Sequence, residues 1–236
     1  MNQSVPLEPP GARDITAGIA AVIFDFDGVI ADSEPISLAS LRDVLDRSGI
    51  PMSLEEVRDQ FLGKSLRAIT EFATQRVDGL CATDFARLWQ DALFAEFRRS
   101  LQPVPGVIAL LDRLEARGIP FCIASSGTFE RIGIALEAMG LTARFPRILS
   151  SELVARGKPA PDLFLLAAER LGVTPAECLV VEDSLFGVQA AQAAGMRSVG
   201  FIGGGHLVDV QADHSAALRA AGAAVIMASF DDLFEN

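Results

Sequence analysis

The sequence is poor in residues that carry several common chemistries. It holds two histidines, three cysteines and one tryptophan in 236 residues. Neither His206 nor His214 stands in a metal-ligand or catalytic-triad spacing. His206 reads as a plain loop histidine, with the mouth of a site as the alternative. No Gly-x-Ser-x-Gly elbow occurs, so that serine-hydrolase template is excluded. Cys81, Cys122 and Cys178 are odd in number and widely spaced, which excludes a disulfide framework and a zinc spacing. Cys122 and Cys178 lie in apolar runs and read as buried free thiols, which fits a reducing, cytoplasmic setting. No apolar run approaches the ~20 residues of a membrane-spanning helix. Residues 1–18 lack the basic-then-apolar profile of a signal peptide and read as a loose tail.

Positive charge is scarce as well. Twenty Lys and Arg face 31 Asp and Glu, a net of -11. This excludes nucleic acid and anionic membrane as non-specific partners, because phosphate contacts need Lys and Arg. Small anions can still be held locally by backbone amides, a lysine or a metal. Two nucleotide-binding signatures also fail. Gly63-Lys64-Ser65 ends like a P-loop, but the required glycine five residues earlier is Arg58. Gly203-Gly204-Gly205 starts like a dinucleotide fingerprint, but its last glycine position is Val208.

Half of the residues are hydrophobic, enough for one large domain or a domain with an insertion. Short apolar runs at Ile19–Phe24, Phe121–Ala124, Cys178–Val181, Ser198–Ile202 and Ala223–Met227 read as buried parallel strands. Helical patterns alternate with them near Val107–Arg117, Phe129–Met139, Pro161–Leu171, Leu185–Ala194 and Leu207–Ala220. That alternation predicts an α/β fold with a parallel sheet. From about Pro35 to Gln102 it stops. Leu41, Val44 and Leu45 share one helical face, and Phe85, Leu88, Trp89, Ala92 and Leu93 share another. A helical segment is therefore predicted inside the α/β unit, with Pro103-Val104-Pro105-Gly106 marking the return to the sheet.

Four short pieces sit where strands end or helices begin. Phe24-Asp25-Phe26-Asp27-Gly28-Val29 closes the first strand. Residues two apart on a strand point the same way, so Asp25 and Asp27 are expected to project together beyond the sheet edge, where ligands bind in open α/β folds. Two close carboxylates repel unless a cation or a proton lies between them, and magnesium suits hard oxygen donors. Val180-Val181-Glu182-Asp183-Ser184 brings acids to a second strand end, with Ser184 readable as a helix cap. Ile123-Ala124-Ser125-Ser126-Gly127-Thr128 reads as a phosphate cradle or as an ordinary N-cap. Gly157-Lys158-Pro159 places a lysine in a stiff loop, either solvated or balancing the acids.

The ordered set resembles the haloacid dehalogenase superfamily of phosphotransferases, from about Ile19 to the C-terminus. The resemblance implies a Rossmann-like three-layer core at 19–34 and 103–236, with a helical cap at 35–102. It implies that Asp25 attacks phosphorus to give an aspartyl-phosphate. Asp27 would protonate the leaving alcohol and then activate water. Asp25, Asp27, Asp183 and Glu182 would hold Mg2+, the last directly or as support. Ser125, Ser126 and Lys158 would bind the phosphoryl group. An acid at Asp27 separates phosphoester chemistry from dehalogenation, where halide needs no proton.

The helical insert, Asp32-Ser33-Glu34-Pro35 and Gly200-Phe201-Ile202-Gly203-Gly204 look like the β-phosphoglucomutase-like and sugar-phosphatase subfamily. Phe61-Leu62-Gly63-Lys64-Ser65 matches its cap loop, which makes Lys64 and Ser65 candidate specificity residues, with a helix-connecting turn and an exposed lysine as the alternative; Glu34 is a further candidate. Ser37 stands where the mutases of this group carry a histidine, and Leu66 where they carry an arginine. Both departures favour a phosphatase of a small sugar or sugar-acid phosphate, with 6-phosphogluconate as one candidate. A sugar-phosphate mutase and a non-enzymatic phosphometabolite-binding protein are the alternatives. A monomer is expected.

Overall fold

The computed structural model describes residues 15–231, 233 and 234. Of the expected tail, residues 1–14 lie outside them. Ile15–Gly18 form a turn near the sheet, where the Ile15 carbonyl accepts a 3.0 Å hydrogen bond from Arg197.

The five apolar runs become strands of a parallel sheet that, among the described residues, has six: β1 (Ala21–Phe24), β2 (Phe121–Ser125), β3 (Ile148–Ser150), β4 (Cys178–Glu182), β5 (Arg197–Phe201) and β6 (Val225–Met227). Their spatial order is β3-β2-β1-β4-β5-β6, which makes β1 central, between β2 and β4. All four β1 residues are buried. The alternation of a strand sorts the side chains between two faces. Val22, Phe24, Phe121, Ile123, Leu179 and Val181 face one apolar core, and Ile23, Cys122, Ala124, Cys178 and Val180 face the other.

Helices cover both faces, as an all-parallel sheet requires. The first core is closed by α5 (Val107–Ala116) and α6 (Phe129–Ala138), through Leu110, Leu114, Ile132 and Leu136. The second is closed by α7 (Asp162–Leu171) and α8 (Leu185–Ala193), through Leu163, Phe164 and Ala190. The result is the expected three-layer α/β core. The last helix, α9 (Gln211–Ala221), packs Leu218 against Val188 and Ile202.

Four helices lie between β1 and α5: α1 (Glu34–Arg47), α2 (Leu54–Phe61), α3 (Leu66–Thr74) and α4 (Ala82–Ser100). They bury a separate cluster built from Leu41, Leu45, Val57, Phe61, Ile69, Phe85 and Trp89. α4 serves both units: its first half joins this cluster, while Leu93, Phe94 and Phe97 join the sheet's core. Each fully buried side chain of this size contributes roughly 1.5–3 kcal/mol.

Three local expectations change. β3 is absent from the predicted strands, because its three residues follow Pro146-Arg147 and show no apolar run. β1 begins at Ala21, two residues after Ile19. The last helix begins at Gln211, because Gly205–Leu207 form a 3-10 turn in which the Gly205 amide donates to Asp32 at 3.0 Å.

Candidate active site

The sheet's carboxyl edge gathers residues from four separate stretches of chain. Past Phe24 the backbone amide of Asp25 donates to the Val181 carbonyl at 2.9 Å, extending the β1–β4 pairing by one residue. Lys158, in the loop before α7, lies with its ammonium 2.6 Å from Asp25 Oδ1 and 2.6 Å from Glu182 Oε2. Its side chain is 3% exposed, and its Nζ sits 4.9 Å from the Phe164 ring centroid. Burial alone would lower the lysine's pKa, but the two carboxylates outweigh it and hold the group well above its usual range.

Asp25, Glu182 and Asp183 are buried and can each offer a carboxylate oxygen, all within 4.8 Å of one another. Burial, and then the repulsion of Glu182, raise the Asp25 carboxyl well above its ordinary value. Burial and Glu182 do the same to Asp183. A hard divalent cation relieves that crowding, and carboxylate oxygens are the donors magnesium takes. The residues present therefore fit the ion. Glu182 is the most committed of the three. Its Oε1 accepts from the Ser184 amide at 3.0 Å and the Ser184 hydroxyl at 2.7 Å, while Oε2 faces Lys158. Gly187 makes room for it, since a Cβ there would overlap the Glu182 carboxyl. Ser184 also N-caps α8, accepting from the Gly187 amide at 3.0 Å.

Asp25 and Asp27 both line the cavity at the sheet edge, but a turn rather than strand alternation brings Asp27 there. The chain leaves the extended conformation at Phe26, whose carbonyl accepts from the Ile30 and Ala31 amides, so two-residue periodicity no longer applies. The Asp27 carboxylate instead accepts from Arg131 Nη2 at 2.8 Å and the Ser33 hydroxyl at 2.5 Å. Burial would raise its pKa, but Arg131 and then Ser33 hold it below the ordinary carboxylate range. Arg131 itself stacks over Phe97 at 5.1 Å. Arg131 lies in the first turn of α6, three residues after Thr128, and nothing in that local pattern encodes its contact with Asp27.

Ser125 ends β2 and is buried; its hydroxyl accepts from the Gly127 amide at 3.0 Å. Thr128, not Ser125, N-caps α6, accepting from the Arg131 amide at 3.2 Å. Ser126 is exposed beside it. These residues open onto a cavity of about 530 Å3, whose walls also include Glu34, Leu62, Gly63, Lys64, Phe186 and His206. Glu34 opens α1, and burial followed by the Asp27 charge raises its pKa. Ser65 is not in the wall; it N-caps α3, accepting from the Ala68 amide at 3.3 Å. A second, more open hollow of about 660 Å3 lies beside the start of β2, near Pro120, Arg144 and Arg147, and lacks such an acid cluster.

His206 is no plain loop residue. Its side chain is 7% exposed and its Nε2 lies 3.2 Å from Asp183 Oδ2. Burial lowers its pKa. Gly28 leaves it room: a Cβ there would overlap both the Asp183 carboxylate and the His206 ring.

A buried lysine shared by two carboxylates, beside a cluster of acids at the carboxyl edge of a parallel sheet, defines an α/β protein with a site suited to a divalent cation and a small anion. Comparison with known proteins narrows the class to a family. The haloacid dehalogenase-like hydrolase family matches residues 22–201, and the chain belongs to it. Hexitol phosphatase A of Escherichia coli is 35% identical over 73% of this chain and 78% of its own length. Protein SUPPRESSOR OF QUENCHING 1, chloroplastic, of Arabidopsis thaliana is 33% identical over 83% of this chain, which spans only 19% of that longer protein. A HAD family hydrolase from Deinococcus radiodurans, crystallised with bound phosphate and sodium, is 33% identical, with TM-score 0.74, covering 90% of this chain and 92% of that one.

Proposed function

We propose that the protein is a magnesium-dependent phosphatase of a small phosphorylated metabolite, a sugar or sugar-acid phosphate, with 6-phosphogluconate among the candidates. The observation that carries this is the Lys158 ammonium lying 2.6 Å from both Asp25 and Glu182. It marks Asp25 as a buried carboxylate with a cation beside the place where phosphoryl oxygens would lie. The phosphatase name of the Escherichia coli relative supports the same reading.

Mg2+ would be held by Asp25, Asp183 and the main-chain carbonyl of Asp27, with Glu182 beside it, and would neutralise phosphoryl oxygens. An Asp25 oxygen attacks phosphorus as the bond to the leaving oxygen breaks, which leaves an aspartyl-phosphate. Arg131 and Ser33 keep Asp27 ionised in the free site, so the proton that Asp27 gives to the departing alkoxide is first taken up, from water or the phosphate monoanion, as the substrate binds. Asp27 then takes a proton from the water that attacks phosphorus, and phosphate leaves with Asp25 restored. Lys158, the Ser125 hydroxyl and Ser126 orient the phosphoryl group. The helical insert acts as a cap over residues 19–34 and 103–236, with Lys64 and Glu34 facing the leaving group. A monomer in a reducing cytoplasm suits the two buried thiols; among the described residues no helix is long and apolar enough to cross a membrane.

A β-phosphoglucomutase-type reaction is the second reading, favoured by the helical insert but not by Ser37 and Leu66. The test is phosphate release from a panel of sugar and sugar-acid phosphates with Mg2+. Release that Asp25→Asn abolishes is expected. Isomer conversion outpacing release would turn the reading to a mutase, and tight binding without turnover to a binding protein.

A further inference from the structure

The chain has only two histidines, and both end on Asp183. His206, in the 3-10 turn after β5, places Nε2 at 3.2 Å from Asp183 Oδ2. His214, in the first turn of α9, places Nε2 at 2.6 Å from the Asp183 main-chain oxygen. A carbonyl only accepts, so His214 donates from Nε2. Among the described residues His206 Nδ1 is buried without a partner, while Nε2 lies 3.2 Å from the Asp183 carboxylate, so a proton on Nε2 of the neutral ring faces that carboxylate in close contact.

Asp183 needs such holding. β4 ends at Glu182, whose last sheet partner is Gly200, and α8 begins at Leu185. The Asp183 carbonyl therefore belongs to neither ladder, and a buried carbonyl without a partner is costly. The surroundings are shaped for both rings. Gly28 leaves space for the His206 ring, and a Cβ at Gly204 would lie 2.9 Å from His206 Cε1. The Gly205 amide pins the same turn to Asp32 at 3.0 Å, and the His214 amide bonds back to Val210 at 3.0 Å. His206 lies against Asp183 Oδ2, and Asp183 also offers a carboxylate oxygen within 4.8 Å of those of Asp25 and Glu182.

We propose that His206 and His214 are positioning residues that clamp Asp183, one by its carboxylate and one by its backbone, so that its remaining oxygen meets a divalent cation beside Asp25. The proposal rests on Asp183 being a ligand. Its test is isothermal titration of the full chain with Mg2+ alone, without substrate. Gln reaches about as far as His Nε2 and keeps an N–H there, whereas Asn falls short. His206→Asn and His214→Asn are expected to weaken Mg2+ binding about 10- to 100-fold. His206→Gln and His214→Gln are expected to recover most of it, with metal-free melting temperatures alike within each Asn/Gln pair. Wild-type affinity in both Asn variants, or equal loss in Asn and Gln, would overturn the clamp. Asp183→Asn separates the two ideas. If it binds Mg2+ as wild type does, the ligand reading fails and the clamp with it. If it loses binding while both Asn variants keep theirs, only the clamp fails.

Discussion

Asp27 and Arg131, 104 residues apart in the chain, meet as an ion pair with Arg131 Nη2 2.8 Å from Asp27 Oδ1. The pair fixes where the second acid of the site points. Arg131→Met should therefore damage the chemical step more than binding. A fall in kcat of about tenfold or more, with KM little changed, is expected in steady-state assays. An unchanged kcat would mean that Ser33 alone orients Asp27.

Chelation should silence the enzyme reversibly. Asp25, Glu182 and Asp183 crowd within 4.8 Å, and burial followed by neighbouring acids raises both aspartates. EDTA is expected to abolish phosphate release, and excess Mg2+ to restore it. Mg2+ should also stabilise the fold by about 2.7 kcal/mol at 100 times its Kd, visible as a higher melting temperature. Full activity in EDTA would sink the magnesium requirement.

Lys158 should support the fold, apart from its proposed part in holding the phosphoryl group. It is 3% exposed and lies 2.6 Å from two buried carboxylates. Lys158→Met leaves those acids together without their cation, a loss of roughly 3–5 kcal/mol. At about 2–4 °C per kcal/mol for a chain of this size, melting should fall by roughly 6–20 °C. A melting temperature within one degree of wild type would show that the acids relax or protonate without cost.

The thiols should sort by burial. Cys81 is exposed, and its hydrogen bond with Thr83 lowers its pKa. Burial raises Cys122 to about 12 and Cys178 to about 11. A thiol reagent at pH 8 should label one cysteine in the folded protein and three in urea. The two buried thiols also give stability a sign with pH. The unfolded chain loses these protons near pH 8.5, the folded one only near 11 to 12, so their contribution is complete below about pH 8.5. It should fall steadily above that, in urea titrations between pH 8 and pH 10.5. Stability that rises over that range would contradict their burial.

The core was legible because burial on both faces writes apolar runs, as at β1, β2 and β4. β3 was not, because three residues after a proline carry too little pattern. Asp25, Ser125, Lys158 and Asp183 were legible because each sits at a strand end or in a marked loop. Arg131, His206 and His214 were hidden for the opposite reason. Each acts on a residue 23 or more positions away, and no local spacing encodes a contact made by folding. Ser33 was noticed only as part of Asp32-Ser33-Glu34-Pro35, while its hydroxyl turns out to hold Asp27.

The central place of β1 has a consequence for how the protein becomes competent. Asp25 gains its neighbours only when β2 has docked on one side and β4 on the other, with Lys158 contributed from between them. β2 begins 96 residues downstream of Asp25 (121 − 25), Lys158 lies 133 downstream (158 − 25) and β4 begins 153 downstream (178 − 25). Loop closures of that length are slow and come late in folding. On the proposed reading a growing chain would carry Asp25 from the start but stay inert until β4 and Asp183 had docked, with β5 and β6 still to complete the sheet.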